Sequence, residues 1–161
     1  MSSSYRMEIS PIRDDAETRA CAEMMASTEP WLTIGRTVDE CYALLSDPMR
    51  ETFVAREHNA LRGFVVIVMQ GAFVGYIQAI CVAPDARGSG VGTQLVAFAE
   101  DRILRESPNV FLCVSSFNPR ARALYERLGY TLVGELTDYL IRGHSEALMR
   151  KSVAPIREFR R

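Results

Sequence analysis

The middle of the chain constrains the fold more than any other part of it. An apolar, β-prone run from Phe73 to Val82 leads into a turn that carries Gly88, Gly90 and Gly92. The next residues, 91–105, have an apolar stripe at helical spacing, which predicts an amphipathic helix. The members of that stripe are Val91, Leu95, Val96, Ala99, Ile103 and Leu104.

A second apolar run, at residues 110–115, follows this helix. Two strands that are joined by one helix pair in parallel, because a crossover is needed to bring the chain back in the same direction. Strand and helix signals elsewhere predict further elements. These are strands at 5–12, 51–56, 64–69, 130–141 and 145–152, and helices at 15–27, 38–45 and 118–128. A turn is predicted at 58–63 and an aromatic loop with the only tryptophan at 29–36, and Thr37 with Glu40 forms a capping-box pattern before the second helix. The sum predicts an α/β fold with a mixed central sheet of about seven strands and helices on both faces.

Length and composition exclude several classes of protein. The chain has 161 residues, of which 48% are hydrophobic, so we expect one domain over residues 1–153 and a basic, mobile tail over 154–161. With 19 basic and 20 acidic residues, no basic field for nucleic acid or a membrane surface is expected. No apolar run approaches the ~20 residues of a membrane span, and the N-terminus has no signal-peptide core, which favours a cytoplasmic protein.

The cysteines and histidines indicate neither a metal site nor a disulfide framework. The four cysteines are far apart in the sequence, and there are only two histidines. Buried, reduced thiols are the favoured interpretation. An acyl-cysteine route through Cys81 or Cys113 is disfavoured, because no base partner is visible for either thiol.

The position of the glycine turn predicts a phosphate site. The first N–H groups of a helix lack intrahelical partners, and the helix dipole adds partial positive charge there. Glycines let a ligand approach those N–H groups, and Arg87 adds a fixed charge at the rim. A P-loop would need Lys and Ser/Thr where the chain has Thr93 and Gln94, and a dinucleotide fingerprint would need a different glycine spacing.

Two sequence blocks carry a more specific resemblance. The pattern Arg87-x-x-Gly90-x-Gly92 resembles the acyl-CoA pyrophosphate loop of the GNAT N-acetyltransferase superfamily. The block from Asn118 to Tyr130 (NPRARALYERLGY) is similar to the second conserved block of that superfamily. The blocks stand in the right order, and the resemblance covers about residues 60–135.

The resemblance implies a cofactor and the residues that bind it. GNAT domains bind acetyl-CoA between two splayed parallel central strands, without a metal. The matching positions here are Ile80, Cys81, Val82, Arg87, Gly88, Ser89, Gly90, Val91, Gly92, Thr93, Asn118, Ala121 and Tyr125. For Asn118, a simple helix cap is an equal alternative.

The resemblance also implies a catalytic tyrosine. Tyr125 occupies the place of the superfamily's general acid, whereas its helical pattern alone favours core packing. Several relatives carry a glutamate on a central strand, but the corresponding stretches here have no carboxylate. Candidates for the general base therefore come from the variable parts of the chain, and they are His144, Glu146 and Glu29.

In such folds a loop after the first helix and the closing hairpin build the acceptor pocket, which implies Glu29, Trp31, Leu32, Tyr139 and His144. The expected reaction is direct acetyl transfer in a ternary complex to a primary amine of a small molecule or peptide. Two alternatives stay open: a catalytically silent acyl-CoA-binding module, and the same fold with a longer acyl-CoA. Self-association into a homodimer through the last strands is a further expectation.

Overall fold

A computed structural model describes residues 7–160, which form a mixed sheet with helices on both faces. The strands are β1 Glu8–Pro11, β2 Glu51–Glu57, β3 Ala60–Val68, β4 Tyr76–Val82, β5 Asn109–Ser115, β6 Thr131–Thr137 and β7 Ser145–Ser152. The α-helices are α1 Asp15–Ala26, α2 Trp31–Ile34, α3 Val38–Ser46, α4 Val91–Ile103 and α5 Pro119–Arg127. Short 3-10 turns lie at Pro84–Ala86 and Ile156–Glu158.

The seven strands follow the order β1-β2-β3-β4-β5-β7-β6. Every neighbouring pair is antiparallel except β4 and β5, which are parallel and are connected through α4. The predicted architecture is thereby confirmed, including the parallel crossover that the glycine turn and its helix required.

Two apolar cores lie on opposite faces of this sheet. Helix α4 packs on one face through Leu95, Ala99 and Ile103, and α5 adds partly buried side chains beside it. On the other face, α1 and α3 cover β2, β3 and β4 but do not extend over β5 and β7. The face of β5 and β7 that these helices leave open is where a cavity lies.

Local side-chain signals fix several helix starts, as predicted. Thr37 and Glu40 form a reciprocal capping box at the start of α3. Asn118 caps α5, since its Oδ1 accepts a hydrogen bond from the backbone N–H of Ala121 at 3.3 Å. These contacts join residues three positions apart, so the sequence alone determines them.

Three predicted strand boundaries were wrong, and glycines account for two of them. Gly63 was assigned to a turn but lies inside β3, where an added Cβ would come within 2.6 Å of the Cys81 carbonyl oxygen. Gly75 has φ +87° and ends the bend that precedes β4, so the strand begins at Tyr76 rather than Phe73. Strand β6 ends at Thr137 instead of continuing to residue 141.

The loop predicted around the only tryptophan contains the short helix α2. For the first strand, predicted over 5–12, the first two positions lie outside the described residues. No helix within residues 7–160 has the length and apolar character needed to cross a membrane. The single domain, the mobile tail and the homodimer stay predictions.

Candidate active site

The two parallel strands separate in the middle of the sheet. They pair only at Tyr76 with Phe111 and at Ile77 with Leu112, although β4 continues for five more residues. A cavity of about 590 Å³ lies along this separation. Because its lining includes side chains from both sheet faces, the opening passes through the sheet. The predicted splay of the central strands is confirmed.

A β-bulge lies at the point where the strands part. Val66 pairs with Ala79 and Ile67 with Ile77, which leaves Gln78 as the extra residue of β4. Because the bulge adds one residue, Ile77 and Ala79 point to opposite faces of the sheet. Ile77 packs in the core beneath α4 (the α4 core), and Ala79 packs in the core beneath α1 and α3 (the α1–α3 core). Gln78 lines the cavity, and its side-chain oxygen accepts a hydrogen bond from Arg50 Nε at 2.6 Å.

The glycine turn lies between the end of β4 and the start of α4. Gly88 and Gly90 have φ values of +77° and +88°, and an added Cβ at either would meet no atom within 4 Å. Gly90 is the N-cap of α4 and supplies no side-chain cap, so the first N–H groups of the helix are left for another acceptor. The open space beside these glycines fits a diphosphate group, and Arg87 and Thr93 are exposed at its edge.

The turn adjoins the cavity without lining it. A Cβ built on Gly92 would lie 3.7 Å from Val82 Cγ2 and 3.9 Å from Leu124 Cδ2, so this glycine faces β4 and α5. Ile80 of β4 lines the cavity, whereas Cys81 is buried in the α1–α3 core. A ligand held at the turn can therefore extend along the unpaired edge of β4 into the opening.

Tyr125 lines the cavity together with Asn118 and Ala121, the other α5 positions predicted to bind the cofactor. Its ring packs at 5.9 Å from the ring of Tyr130, on the α4 side of the sheet. Burial raises the pKa of Tyr125 to about 12, so the phenol stays protonated near neutral pH. None of the described residues forms a hydrogen bond with its hydroxyl, which leaves the proton free for a ligand.

A buried carboxyl group lies at the cavity on the opposite face of the sheet. Glu146 of β7 is the cross-strand partner of Ser115 of β5, and its Oε1 accepts a hydrogen bond from Ser115 Oγ at 2.5 Å. The residue is 4% exposed and both side chains line the cavity. Burial raises the pKa of Glu146, and the hydrogen bond from Ser115 opposes part of that rise.

The other two candidate bases are placed differently. Glu29 lines the cavity, but its carboxylate already accepts hydrogen bonds from the backbone N–H and the hydroxyl of Thr33, at 3.2 and 2.8 Å. His144 packs edge-on against Phe117 with 5.0 Å between ring centres and does not line the cavity. Of the three carboxyl or imidazole groups, Glu146 is the one that combines burial with a side chain at the cavity.

Three of the five predicted acceptor-pocket residues converge, and two, Leu32 and His144, do not. Glu29, Trp31 and Tyr139 all line the cavity. Trp31 is 8% exposed and packs in the α1–α3 core, so this residue both contributes to the core and lines the cavity. Leu32 is 57% exposed and lies outside the lining.

Several lining residues were not identified from the sequence. They are Arg36, Phe73, Tyr76, Gln78, Cys113 and Ser115. Tyr76, Cys113 and Ser115 alternate along their strands with residues of the α4 core, so the period-2 pattern predicts that they face the opposite side of the sheet. Nothing in this alternation indicated that the opposite face of the sheet borders a cavity. Burial raises the pKa of both Cys81 and Cys113, which makes either thiol a poor nucleophile.

No group of three or more histidine, cysteine, aspartate or glutamate side chains that could hold a metal ion occurs within residues 7–160.

The family model described as "Acetyltransferase (GNAT) family" matches residues 15–130. The chain is 31% identical over 88 residues to blasticidin-S acetyltransferase of Streptomyces morookaense, an alignment that covers 55% of this chain and 64% of the relative. It is 35% identical over 83 residues to S-(2-succino)cysteine N-acetyltransferase of Bacillus subtilis (strain 168), covering 50% of this chain and 49% of the relative. The alignments thus span about half to two thirds of the length of these relatives.

A solved structure supports the fold over a longer span. An aminoglycoside 6'-N-acetyltransferase complexed with coenzyme A superposes with a TM-score of 0.74 at 20% sequence identity. The match covers 92% of this chain and 98% of that one. At this identity the likeness concerns the fold alone.

Proposed function

The chain belongs to the acetyltransferase (GNAT) family, and we propose that it transfers the acetyl group of acetyl-CoA directly to a primary amine in a ternary complex. The observation that carries this proposal is the opening between β4 and β5, because it brings groups from both faces of the sheet to one cavity. Tyr125 approaches it from the α4 side and Glu146 from the other side. Two substrates that enter from opposite faces would meet between these residues.

The residues around the glycine turn fit the cofactor. The space beside Gly88 and Gly90 accommodates a diphosphate against the N-terminus of α4, and Arg87 supplies a positive charge. The backbone groups of residues 78–82 have no β5 partner and are left to hydrogen-bond the amide-bearing arm. The proposed binding set keeps the predicted residues: Ile80, Cys81, Val82, residues 87–93, Asn118, Ala121 and Tyr125.

When bound, acetyl-CoA supplies a thioester whose C–S bond breaks as the amine nitrogen forms the new C–N bond. The chain's own task is to move two protons. Glu146 Oε2, which has no hydrogen-bond partner among the described residues, takes a proton from the ammonium group and leaves it neutral. The Tyr125 hydroxyl would donate its proton to the departing sulfur. It would then take the second proton from the nitrogen, which is cationic again once the C–N bond has formed, so that the amide and the thiol leave neutral and the Tyr125 hydroxyl is restored. Ser115 orients the carboxylate through its hydrogen bond to Oε1.

One observation favours a second candidate function. The bulge residue of β4 is Gln78, a side chain that cannot accept a proton near neutral pH, and its oxygen is engaged by Arg50. The lack of a carboxylate at this place on the central strand would be consistent with a catalytically silent acyl-CoA-binding module. The buried Glu146 at the same cavity supports catalysis instead, and so does the second relative, which is named an N-acetyltransferase.

The test separates cofactor binding from transfer. Calorimetry with acetyl-CoA and with CoA measures binding to the folded chain, and thiol release from acetyl-CoA in the presence of primary amines measures transfer. We expect micromolar binding of both ligands and amine-dependent thiol release. Binding without thiol release on any amine would favour the silent module, and the absence of any binding would refute both functions.

The same assay addresses the length of the acyl group. Replacing acetyl-CoA by butanoyl-CoA in the thiol-release assay would show whether the cavity takes a longer chain. We expect slower release with the longer thioester, because Ala121 and Tyr125 line the α5 side of the opening, where a longer acyl chain would meet them. Faster release would favour the longer acyl-CoA as the donor.

A further inference from the structure

The cavity that lies on the open face of β5 and β7 has a distinctive mouth and a distinctive charge. From these we infer that the acceptor is a small monoamine, with a single ammonium group on a flat, apolar, ring-bearing body. This inference rests on the proposed acetyl transfer and adds to it the chemistry of the molecule that receives the acetyl group.

The mouth of the cavity is apolar although it faces solvent. Phe73, Tyr139 and Leu140 are 49%, 58% and 43% exposed, and all three line the cavity. They belong to two segments, the bend between β3 and β4 and the loop between β6 and β7, that approach the opening from different strands. Large exposed apolar side chains that converge on a cavity are typical of a surface that a ligand covers.

Aromatic rings continue from the mouth into the cavity. The Phe73 ring packs against Phe111 with 4.9 Å between ring centres, and this contact limits the freedom of the Phe73 side chain at the mouth. Tyr76 and Trp31 line the deeper part. Burial raises the pKa of Tyr76, so its phenol is neutral and adds no charge. Flat rings on several sides suit a flat, apolar acceptor body.

The charges around the cavity are few and nearly balanced. Among the described residues that line it, only Glu29, Arg36 and Glu146 are charged. Glu29 is engaged by Thr33, and Arg36 forms no ion pair with another described residue. Glu29 keeps its charge but is exposed to solvent, so Glu146, with its free Oε2, is the one buried carboxylate of the lining that can face an ammonium group.

This balance discriminates against polyamines and aminoglycosides. A second ammonium group would have only the exposed, already hydrogen-bonded Glu29 as a counter-charge, and a third would lie without a carboxylate partner or near the Arg36 guanidinium. A desolvated charge without a partner is costly. A single ammonium group beside Glu146, with an apolar body toward Phe73 and Tyr139, meets complementary surface at both ends. The acceptor is therefore distinguished by its charge as well as by its shape.

The experiment compares three amines at saturating acetyl-CoA. Thiol release is measured with 2-phenylethylamine, spermidine and kanamycin on the full chain. We expect kcat/KM to be at least about tenfold higher for 2-phenylethylamine than for either polycation. A preference for spermidine or kanamycin would overturn the inference but would support the proposed transfer. Thiol release with none of the three, while calorimetry shows bound acetyl-CoA, would also overturn the inference, whereas the proposed transfer would be refuted only if no other primary amine supported thiol release.

Matched variants test the mouth directly. Phe73→Ser should raise KM for 2-phenylethylamine about tenfold, the loss expected for one aromatic contact, and leave KM for acetyl-CoA within twofold. Val74→Ser is its control, because Val74 is also exposed but does not line the cavity. Tyr139→Ser and Val133→Ser form a second pair on the same reasoning. Equal effects within either pair would contradict the assignment of the mouth.

Discussion

Two tyrosines that pack against each other provide the sharpest test of the proposed mechanism. Tyr125 lines the cavity, and its hydroxyl has no hydrogen-bond partner among the described residues. Tyr130 is buried, and its hydroxyl donates to Glu100 Oε1 at 3.0 Å. The rings are 5.9 Å apart, so replacing either tyrosine by phenylalanine perturbs the same apolar core. The two variants differ in the role of the hydroxyl group that is removed: the Tyr130 hydroxyl forms a hydrogen bond within the protein, and the Tyr125 hydroxyl faces the cavity.

The structure gives different magnitudes for the two changes. Tyr125→Phe breaks no hydrogen bond within the protein, so the free energy of unfolding should change by less than about 0.5 kcal/mol. Turnover should fall at least about tenfold, because general-acid groups typically contribute about 10²–10⁴. The affinity for acetyl-CoA should stay near that of the wild type.

Tyr130→Phe should show the opposite behaviour. A hydrogen bond to a charged group contributes about 1.5–3 kcal/mol, but Glu100 keeps its ion pair with Lys151 at 3.0 Å, so we expect a loss of about 1–2 kcal/mol. For a chain of this size that corresponds to a decrease in Tm of about 2–8 °C. Turnover at 25 °C should be unchanged.

The assay is thermal denaturation together with initial rates of thiol release for the wild type and both variants. A Tyr125→Phe variant with wild-type turnover would remove this residue from the mechanism. If Tyr125→Phe were instead the less stable variant, its hydroxyl would have a structural partner, and the argument from its free proton would fail.

Three other predictions address the base, the turn and a buried ion pair. Because burial raises the pKa of Glu146 above its ordinary 4.5, kcat should rise with pH as this carboxyl group loses its proton. Glu146→Gln should lower kcat about 100-fold and remove the pH dependence. If the variant kept the pH dependence, another residue would be the base. Gly90→Ala should weaken acetyl-CoA binding measured by calorimetry, since φ is +88° and its Cβ would enter the open space. Gly71→Ala is the matched control, because Gly71 has φ +89° and open space around it but lies in the bend between β3 and β4, and it should bind acetyl-CoA within about twofold of the wild type. Equal losses of affinity would contradict the proposed diphosphate position. Glu17→Ala should cost about 3–5 kcal/mol in urea denaturation, because it leaves the 3% exposed Arg56 without its carboxylate. The hydrogen bond from Arg56 lowers the pKa of Glu17 below 4.5, so this stabilisation should be present above pH 4.5 and be lost as the pH falls through the lowered pKa.

Helix starts, the glycine turn and the parallel crossover were predictable because local chemistry specifies them. The capping box of Thr37 and Glu40, the Asn118 cap and the Gly90 N-cap each depend on residues within one turn. The order of strand, helix and strand required a parallel pair once its elements were identified. The resemblance then added what pattern alone did not contain, the separation of those strands and a role for Tyr125.

Other features depended on residues far apart in the sequence. Gly63 was assigned to a turn because glycine usually marks one, but the carbonyl of Cys81 and the Leu95 side chain approach so closely that no Cβ fits. The bulge at Gln78 arises from the pairing register with β3, which no short stretch of β4 reveals.

Glu146 shows most clearly the difference between what neighbouring residues specify and what distant residues add. Its neighbours Ser145 and Ala147 mark it only as one position of an alternating strand, and it was one of three candidate bases on chemical type alone. Its burial and its hydrogen bond depend on Ser115, which is 31 positions away along the chain. Local hydrogen bonding and periodicity are properties of consecutive residues, so the sequence by itself determined the elements and the glycine turn. Desolvation and cavity shape are properties of surfaces that meet only on folding, and so the tertiary structure decided which of the candidate carboxyl groups lies buried at the cavity.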